Sequence, residues 1–491
     1  MSGDQPWRSR AVDAKAWARI ADQLAQGRRT LAGLWGDAGR VHAALLDEGK
    51  SELEIATLAC PSGQFPSIAR RHAPALRLER AIRDLFGFEP VGAPDDRRWL
   101  DHCRWLVRHP LGDYTDWAGE GETYAFLPAE GEGLHQIPVG PVHAGIIEPG
   151  HFRFHANGET VVRLEERLGY THKGIEGLMA GASIGNAANL AGRISGDSTV
   201  AYSIAFARAV EAALGLEIPP RAHLLRALMA ELERIANHLG DIGAVCNDAS
   251  FALMHAHCGI LRERVLRQSN DCFGHRLMMD KVVPGGVATD LDPSGVAGLR
   301  SLIGRIRKDF PPLVELYDET ASLQDRTVGT GILTADLARQ YGCSGFVGRA
   351  SGRVFDARKA IAYPPYDALE FEVPVLIEGD VNARLWIRIR EVEQSLRLIE
   401  QILDGLPSGE TTIELEKRGE VREGLALVEG FRGDILVWLR LDGEGWIGRC
   451  HLRDPSWFQW PLLEAAIEGN IVADFPLCNK SFNCSYSGHD L

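Results

Sequence analysis

One stretch of the chain carries a regular apolar stripe that is typical of a buried helix. Between residues 221 and 245, large apolar side chains recur in steps of four, four, three, four and three, at Leu224, Leu228, Leu232, Ile235, Leu239 and Ile242. This spacing places all six side chains on one face of a long helix. Other helices must cover that face, so the stripe predicts a helical bundle.

The sequence around this stripe predicts further helices and two β-hairpins. Apolar periodicity predicts helices at residues 261–273, 296–310, 393–403 and 461–467. Residues 152–164 alternate apolar and polar side chains about Asn157-Gly158, a dipeptide favoured in type I′ hairpin turns. Residues 435–449 alternate in the same way about a glycine-rich turn at 442–445, and residues 331–362 are rich in loops.

The N-terminal part predicts a separate small α/β unit. Its expected elements are a helix at residues 14–34, a strand at 53–58 and a helix at 76–86. A polar stretch rich in Gly and Glu follows from Gly112 to Leu134 and predicts a linker. We therefore expect an α+β protein, mainly a helical bundle with β-hairpins, divided into residues 1–115, a linker at 116–136, and residues 137–491.

Composition restricts the partners and the compartment. The 53 Lys and Arg against 67 Asp and Glu give a net charge of −14, which argues against nucleic acid or an anionic membrane surface as direct partners. No run of eighteen apolar residues predicts a membrane-spanning helix, and the N-terminus lacks the apolar core of a signal peptide. Nine irregularly spaced cysteines fit a reducing cytosol. These observations predict a cytoplasmic location.

Two motif matches lie in contexts that argue against their usual function. Residues 443–448 spell G-x-G-x-x-G, but they belong to a predicted hairpin instead of opening a helix. Residues 181–185 spell G-x-S-x-G, but a helical run precedes them where a nucleophile elbow requires a strand. We therefore expect neither a dinucleotide-binding loop nor a serine nucleophile here.

A turn of small residues, Ser195-Gly196-Asp197-Ser198, separates two apolar helical runs and would let the backbone approach a ligand closely. Together with the C-terminal tail, 478–491, it resembles the metal-binding regions of nickel-iron hydrogenase large subunits. Other segments extend the resemblance to the energy-converting hydrogenases of the hydrogenase-4 and formate hydrogenlyase type, relatives of the complex I 49 kDa subunit: residues 137–143, 148–153, 170–176, 325–331, 347–352 and 379–384. Residues 79–100 resemble the complex I 30 kDa subunit, a docking unit.

The resemblance implies a partner and a location. Large subunits of this kind are bundles of long helices whose active site lies at the interface with a small iron-sulfur subunit. This chain is accordingly expected to pack on such a subunit, with membrane subunits of a complex I-like assembly nearby, on the inner, cytoplasmic face of the cell membrane. The iron-sulfur cluster is expected in the partner, and no cofactor is expected in this chain.

The four metal ligands that the family uses are missing. Ser195 and Ser198 stand where the first cysteine pair is expected, and Ser485 and Gly488 stand at the second pair. A serine hydroxyl is not a soft anionic ligand at neutral pH, and glycine has no side chain. Cys478 and Cys484 are out of register with these positions, and His255 and His257 point about 200° apart on a helix. The C-terminal extension that active relatives lose during maturation is also not expected. No metal site is therefore predicted.

The acid-base groups of the family are partly retained. Glu176 matches a glutamate that relays protons, and a partly buried carboxylate with a raised pKa would suit that role. A glutamate stabilised at a helix N-terminus is an equal alternative. His172 and Asp197 complete the candidate proton path, and Arg349 is a further candidate at the cofactor site.

In complex I a histidine and a tyrosine contact the quinone, and the resemblance places these two positions on Ile147 and Gly196. Neither residue matches, which argues against quinone reduction at this site. His151 or Tyr202 are the alternatives that could take the place of the two missing residues. NAD or quinone binding would belong to the whole complex.

Three hypotheses follow. The first is a metal-free oxidoreductase-complex subunit that contributes to electron transfer and proton coupling. The second is a non-catalytic scaffold of the same complex, and the third, least favoured, is an active nickel-iron hydrogenase. A closed apolar plug at the serines would favour the scaffold, and an open cavity lined by Glu176 would favour a redox role.

Overall fold

The N-terminal elements build a four-stranded sheet with two helices. The computed structural model describes residues 7–113, 115–116, 123–143, 147–415 and 419–491. The first elements are β1 (Trp7–Val12), α1 (Ala14–Ala25), β2 (Thr30–Asp37), β3 (Arg40–Asp47), β4 (Glu52–Ala59), β5 (Gln64–Pro66), α2 (Leu76–Phe86), β6 (Glu89–Val91), β7 (Val107–Arg108) and β8 (Thr115–Asp116). The sheet has the order β1-β4-β3-β2, with β1 parallel to β4 and the other neighbours antiparallel.

Both faces of this sheet are buried. Side chains of α1 and α2, such as Trp17 and Ile82, pack with Leu34 on one side. On the other side Ala32 and Trp35 pack with the larger part of the chain. Leu34 and Trp35 are consecutive and so point to opposite faces, and the bulge between Leu31 and Gly33 shifts the alternation so that Ala32 lies on the face of Trp35. The N-terminal sheet is therefore one layer of a larger structure.

One helix of this region is shorter than the sequence predicted. The helix expected at residues 14–34 ends at Ala25, and Gly27 follows in the left-handed region at a φ of 65°. The chain then enters β2, so Leu31 lies on a strand. The predicted strand at 53–58 and the helix at 76–86 are confirmed. Of the predicted linker, residues 117–122 lie outside the described residues.

The larger part of the chain is mainly helical. Its elements are β9 (Leu134–Val139), β10 (His151–Asn157), β11 (Thr160–Arg167), α3 (Ile175–Met179), α4 (Ile184–Ala191), α5 (Thr199–Leu214), α6 (Pro220–Asp248), α7 (Ala252–Phe273), β12 (Val282–Val283), β13 (Gly286–Val287), α8 (Pro293–Asp309), α9 (Pro311–Glu319), α10 (Ala321–Thr327), α11 (Ala335–Gln340), α12 (Gly345–Ala350), α13 (Ala357–Ala360), α14 (Val381–Gly405), β14 (Arg422–Glu429), β15 (Asp434–Leu441), β16 (Ile447–Arg453), α15 (Ser456–Ala466), α16 (Phe475–Phe482) and α17 (Tyr486–Asp490). The predicted α+β class is confirmed.

The stripe on α6 lies in the core as predicted. Leu228, Leu232 and Ile235 are buried where α6 packs against α7 and α14. The opposite side of α6 is buried as well, and it carries charges. Arg226 pairs with Glu211 at 2.6 Å. Because an unpaired buried charge is costly, this ion pair ties α6 to one arrangement with α5.

Two small antiparallel sheets frame the bundle. The hairpin predicted at 152–164 is β10-β11, and β9 adds a third strand. The hairpin predicted at 435–449 is β15-β16, and the order is β14-β15-β16. A Cβ on Gly424 of β14 would lie 1.8 Å from the carbonyl oxygen of Ala209 on α5, so glycine permits this close approach. Among the described residues, no helix has the length and apolar character needed to cross a membrane.

Candidate functional site

The small-residue turn and the C-terminal tail meet in the structure. Ser195 is the N-cap of a 3-10 turn, Gly196–Ser198, that leads into α5. Ser485 is the N-cap of α17, where its Oγ accepts a hydrogen bond from the Gly488 amide at 2.9 Å. The hydroxyl of Ser485 donates to the hydroxyl oxygen of Ser195 at 3.3 Å. Three of the four residues at the expected ligand positions are thus linked directly. We call Ser195, Ser198, Ser485 and Gly488 the serine cluster.

Arg432 and Asp197 hold this cluster together. Asp197 accepts hydrogen bonds from Ser195 Oγ at 2.6 Å and from Ser198 Oγ at 3.3 Å. Arg432, in the turn between β14 and β15, donates to both carboxylate oxygens of Asp197, at 2.9 and 2.5 Å, and to Ser198 Oγ at 3.1 Å. Burial raises the pKa of Asp197, but Arg432 outweighs it and lowers the pKa to about 2. A guanidinium cation therefore stands beside the first ligand pair.

The fourth position is closed by a carboxylate. A Cβ on Gly488 would lie 2.5 Å from Asp454 Oδ2 and 2.9 Å from Ser485 Oγ. Tyr202 donates its hydroxyl to Asp454 Oδ2 at 2.5 Å, and the Ser456 amide donates to Oδ1 at 2.8 Å. Because Asp454 is fixed by both bonds, no larger residue fits at position 488 without displacing it.

These residues do not fit a nickel-iron centre. The cluster offers hydroxyls and no thiolate, and a cation already occupies its edge. Burial raises the pKa of Cys478 to about 11 and that of Cys484 far above its ordinary value, so both remain neutral thiols. Within the described part of the chain, no group of three or more His, Cys, Asp or Glu side chains is arranged to hold a metal ion.

Glu176 is ionised, contrary to the raised pKa that we expected. Its Oε2 accepts from Arg449 Nη2 at 2.7 Å, and its Oε1 bonds to His451 Nδ1 at 2.8 Å and accepts from the Leu452 amide at 3.1 Å. Burial alone would raise its pKa, but Arg449 and His451 lower it to about 2. A carboxylate held in this way stays charged at neutral pH.

His172 and Arg349 have structural partners of their own. His172 Nδ1 bonds to the carbonyl oxygen of Asp490 at 2.7 Å, which ties the loop before α3 to the C-terminal segment. Arg349 lies in the bundle core, where it pairs with Glu391 at 2.6 Å and with Glu429 at 2.9 Å. Neither makes a hydrogen bond to the serine cluster. Arg349 is therefore part of the core ion network, not of this cluster.

The residues considered for quinone are also placed by the structure. Ile147 is partly exposed, and a Cβ on Gly196 would meet no atom within 4 Å. Tyr202 is fully buried and its phenol is bonded to Asp454. His151 lies on β10, with its ring tilted by 34° against that of Phe126 at a centroid distance of 4.8 Å.

Three important residues were not identified from the sequence: Arg432, Asp454 and Glu233. Glu233, on α6, accepts from the amides of Val200 and Ala201 at 2.7 and 3.1 Å, which caps the start of α5. Burial raises its pKa to about 8. No local pattern in the sequence distinguished these three from the many other charged residues of the chain.

Comparison with known families gives three matches along the chain. Residues 12–120 match the respiratory-chain NADH dehydrogenase 30 Kd subunit. Residues 173–240 match the nickel-dependent hydrogenase family, and residues 249–424 match the respiratory-chain NADH dehydrogenase 49 Kd subunit.

Several curated proteins and a solved structure are similar over most of the chain. Formate hydrogenlyase subunit 5 of Escherichia coli (strain K12) is 32% identical over 438 residues, which cover 87% of this chain and 77% of that protein. Hydrogenase-4 component G of the same organism is 32% identical, over 92% of this chain and 80% of the relative. A chain of the membrane-bound sulfane sulfur reductase, an archaeal respiratory membrane complex, has a TM-score of 0.69 at 27% identity and covers 73% of this chain and 99% of its own length.

Proposed function

Because the chain belongs to the family of large subunits that energy-converting hydrogenases share with complex I, we propose that it is a subunit of a membrane-associated oxidoreductase complex and carries no nickel-iron centre. Its neighbours would be a small iron-sulfur subunit and membrane subunits of a complex I-like assembly. It would lie on the cytoplasmic, inner face of the membrane. Any iron-sulfur cluster, quinone or NAD site would belong to the partners.

One observation carries the metal-free assignment. Arg432 donates to Asp197 and Ser198, and Asp454 occupies the space that a side chain at Gly488 would need. A positive guanidinium beside the expected ligands would repel a metal cation, and the ligand positions are already satisfied by hydrogen bonds to each other.

We assign the serine cluster, together with the neighbouring Asp197 and Glu233, a role in proton coupling. The side chain of Asp197, which bonds to the buried serines, is 34% exposed, so this carboxylate reaches the surface, where an iron-sulfur partner would pack. Glu233 lies behind it and caps α5 next to Asp197, with a pKa of about 8 that allows its charge to change near neutral pH. Glu176 remains a fixed negative charge in this scheme. Glu233 is mostly protonated at neutral pH, so oxidation of a nearby cluster would favour release of its proton, and reduction of the cluster would favour rebinding, through ordinary electrostatics.

A scaffold role is the alternative, and a specific observation favours it. The serine cluster is closed by internal hydrogen bonds and its three serines are buried. The closed cluster is polar, whereas the sequence analysis named an apolar plug as the sign of a scaffold. The two functions differ in their response to Glu233→Gln. A proton-coupling subunit would lose electron transfer in a fully assembled complex, whereas a scaffold would lose neither assembly nor activity.

Metal analysis of the purified complex tests the main proposal. Nickel should be absent at the level of one atom per chain, and hydrogen-dependent dye reduction should be undetectable. Stoichiometric nickel together with hydrogen oxidation would contradict the proposal and restore the hydrogenase hypothesis. Mass spectrometry of the intact complex checks the partner assignment, because a small iron-sulfur subunit should copurify in equal amount.

A further inference from the structure

A pocket with four arginines lies where the loop between β6 and β7 meets the end of β11. Its volume is about 460 Å³, within the usual range for small-molecule sites. One carboxylate, that of Asp101, lines it together with Arg97, Arg98, Arg104 and Arg167. The described residues on its wall include none of the serine cluster. We call it the arginine pocket.

Two of these arginines are already neutralised by carboxylates. Arg97 pairs with Asp95 and with Glu165, each at 2.6 Å. Arg98 pairs with Asp101 at 2.8 Å. The carboxylate on the wall is therefore taken up by Arg98, and it does not balance the two arginines that remain.

The other two arginines form no ion pair within the described part of the chain. Arg167 is 3% exposed, and its two Nη atoms donate to the backbone carbonyl oxygens of Trp99 and Asp101. Its guanidinium also lies 4.4 Å from the ring centre of Tyr124. Arg104 is exposed and makes no hydrogen bond to a described residue. Burial lowers the pKa of Arg167 to about 10, so the fold does not fully compensate this charge.

One N–H group of Arg167 remains available to a ligand. Its Nε has no hydrogen-bond partner among the described residues, yet it is not one of the polar atoms that the fold seals from solvent. Arg384 shows the difference. It forms no ion pair with a described residue either, but it is fully buried and all three of its nitrogens donate to oxygens of the fold. Arg384 is therefore satisfied, whereas Arg167 lines the arginine pocket with an unused donor.

Aromatic rings form another part of the wall. Tyr124 and Phe126 meet edge to face at a centroid distance of 4.9 Å, and Tyr170 is 38% exposed. All three line the arginine pocket, which is larger than an inorganic oxyanion needs. The faces and edges of such side chains pack well against another ring. An anion that carries an apolar ring is therefore complementary to both the charge and the walls of the pocket.

We propose that the arginine pocket binds a small organic anion, a carboxylate or phosphate attached to an apolar ring, with its oxyanion on Arg167 and Arg104. Guanidinium groups bind both kinds of oxyanion through charge-assisted hydrogen bonds. The bound anion supplies the counter-charge that Arg167 lacks, and it connects the loop between β6 and β7 to the end of β11. The site is independent of the proposed electron-transfer role.

Isothermal titration calorimetry of the purified complex, which contains the full-length chain, tests this site with four probes. Phenyl phosphate and benzoate represent the two oxyanions, benzyl alcohol is their neutral counterpart, and inorganic phosphate lacks the ring. The better of the two ring anions should bind saturably, with one site per chain, and at least about tenfold more tightly than benzyl alcohol. Which of the two binds more tightly identifies the oxyanion. No saturable binding of either, or equal binding of benzyl alcohol, would overturn the proposal. Inorganic phosphate that binds as tightly as phenyl phosphate would overturn the assignment of the ring.

Variants locate the bound anion. Arg167→Met should weaken the better anion at least about tenfold, because a charge-assisted hydrogen bond is lost. Arg104→Met changes an exposed side chain that the fold does not use, and it should weaken binding roughly two- to fivefold. Arg19→Met is the matched control, since Arg19 is likewise exposed and unpaired among the described residues but does not line the pocket. Unchanged binding to Arg104→Met, or an equal loss in Arg19→Met, would contradict the site.

Discussion

The Cβ position of Gly488 lies 2.5 Å from Oδ2 of Asp454, a distance that no pair of non-bonded heavy atoms of this kind sustains. The carboxylate of Asp454 thus fills the space that a side chain would need at position 488, where the resemblance expects the fourth metal ligand. The glycine at position 488 and the position of Asp454 depend on each other, because any larger side chain at 488 would force Asp454 to move. This relationship leads to the first prediction.

Gly488→Cys should destabilise the protein by about 2 kcal/mol, because the new side chain must push Asp454 away from Tyr202. The same substitution should cost less in an Asp454→Ala background, where the space is free. Urea unfolding of the four proteins of this double-mutant cycle measures the difference. Gly196→Ala is the control, since its Cβ would meet no atom within 4 Å. Equal costs of Gly488→Cys in both backgrounds would contradict the steric explanation.

Arg432→Met should destabilise the fold by about 2–3 kcal/mol. It leaves the carbonyl of Asn483 and the carboxylate of Asp197 without their charged donor. The pKa of Asp197 should rise, which chemical-shift titration of its carboxyl carbon would detect. Arg193→Met removes an ion pair with Asp280 whose side chains are 44% and 40% exposed, and it should cost less than about 1 kcal/mol. Similar losses in both variants would rule out a special role of Arg432.

Glu176 should make the protein sensitive to acid. Its folded pKa of about 2 lies below the ordinary 4.5, so its stabilisation is present above pH 4.5 and is lost as pH falls toward 2. At pH 7 the native protein should exceed Glu176→Gln in unfolding free energy by on the order of 3 kcal/mol, and the gap should close across that window. Thermal unfolding at a series of pH values measures it, with exposed Glu159→Gln as control. A gap that stays constant down to pH 2 would refute the assignment.

Glu233 should make the free energy of unfolding depend on pH in the opposite direction to Glu176. Its folded pKa of about 8 exceeds the ordinary 4.5, so between these values the folded protein binds the extra proton and stability declines as pH rises. Glu233→Gln should flatten this decline relative to the native protein. Infrared difference spectra should show a protonated carboxyl band that disappears near pH 8 and is missing from the variant. Without such a band, the proton-coupling role of Glu233 would fail.

The sequence predicted several elements because their signals are local. The stripe on α6, the helix Leu76–Phe86 and the hairpin at Asn157-Gly158 each depend on neighbours within a few residues, and the structure confirms them. The helix predicted at 14–34 is wrong in its C-terminal part. There Gly27 takes a left-handed conformation that ends the helix, and the apolar residues that follow belong to strand β2. Two-sided burial of the first sheet could not be predicted, since its second face is covered by strands far along the chain.

The candidate site likewise has features that the sequence shows and features that only the tertiary structure shows. From the sequence alone, Ser195, Ser198, Ser485 and Gly488 are the residues at which the family resemblance expects the four metal ligands, because reading residue identity requires no coordinates. Only the tertiary structure decided which residues surround these four positions. Arg432 reaches Asp197 across 235 positions, and Arg449 reaches Glu176 across 273. The pKa of a buried carboxylate depends on which charges surround it in space, so Glu176 became a fixed anion and Glu233 the group that titrates.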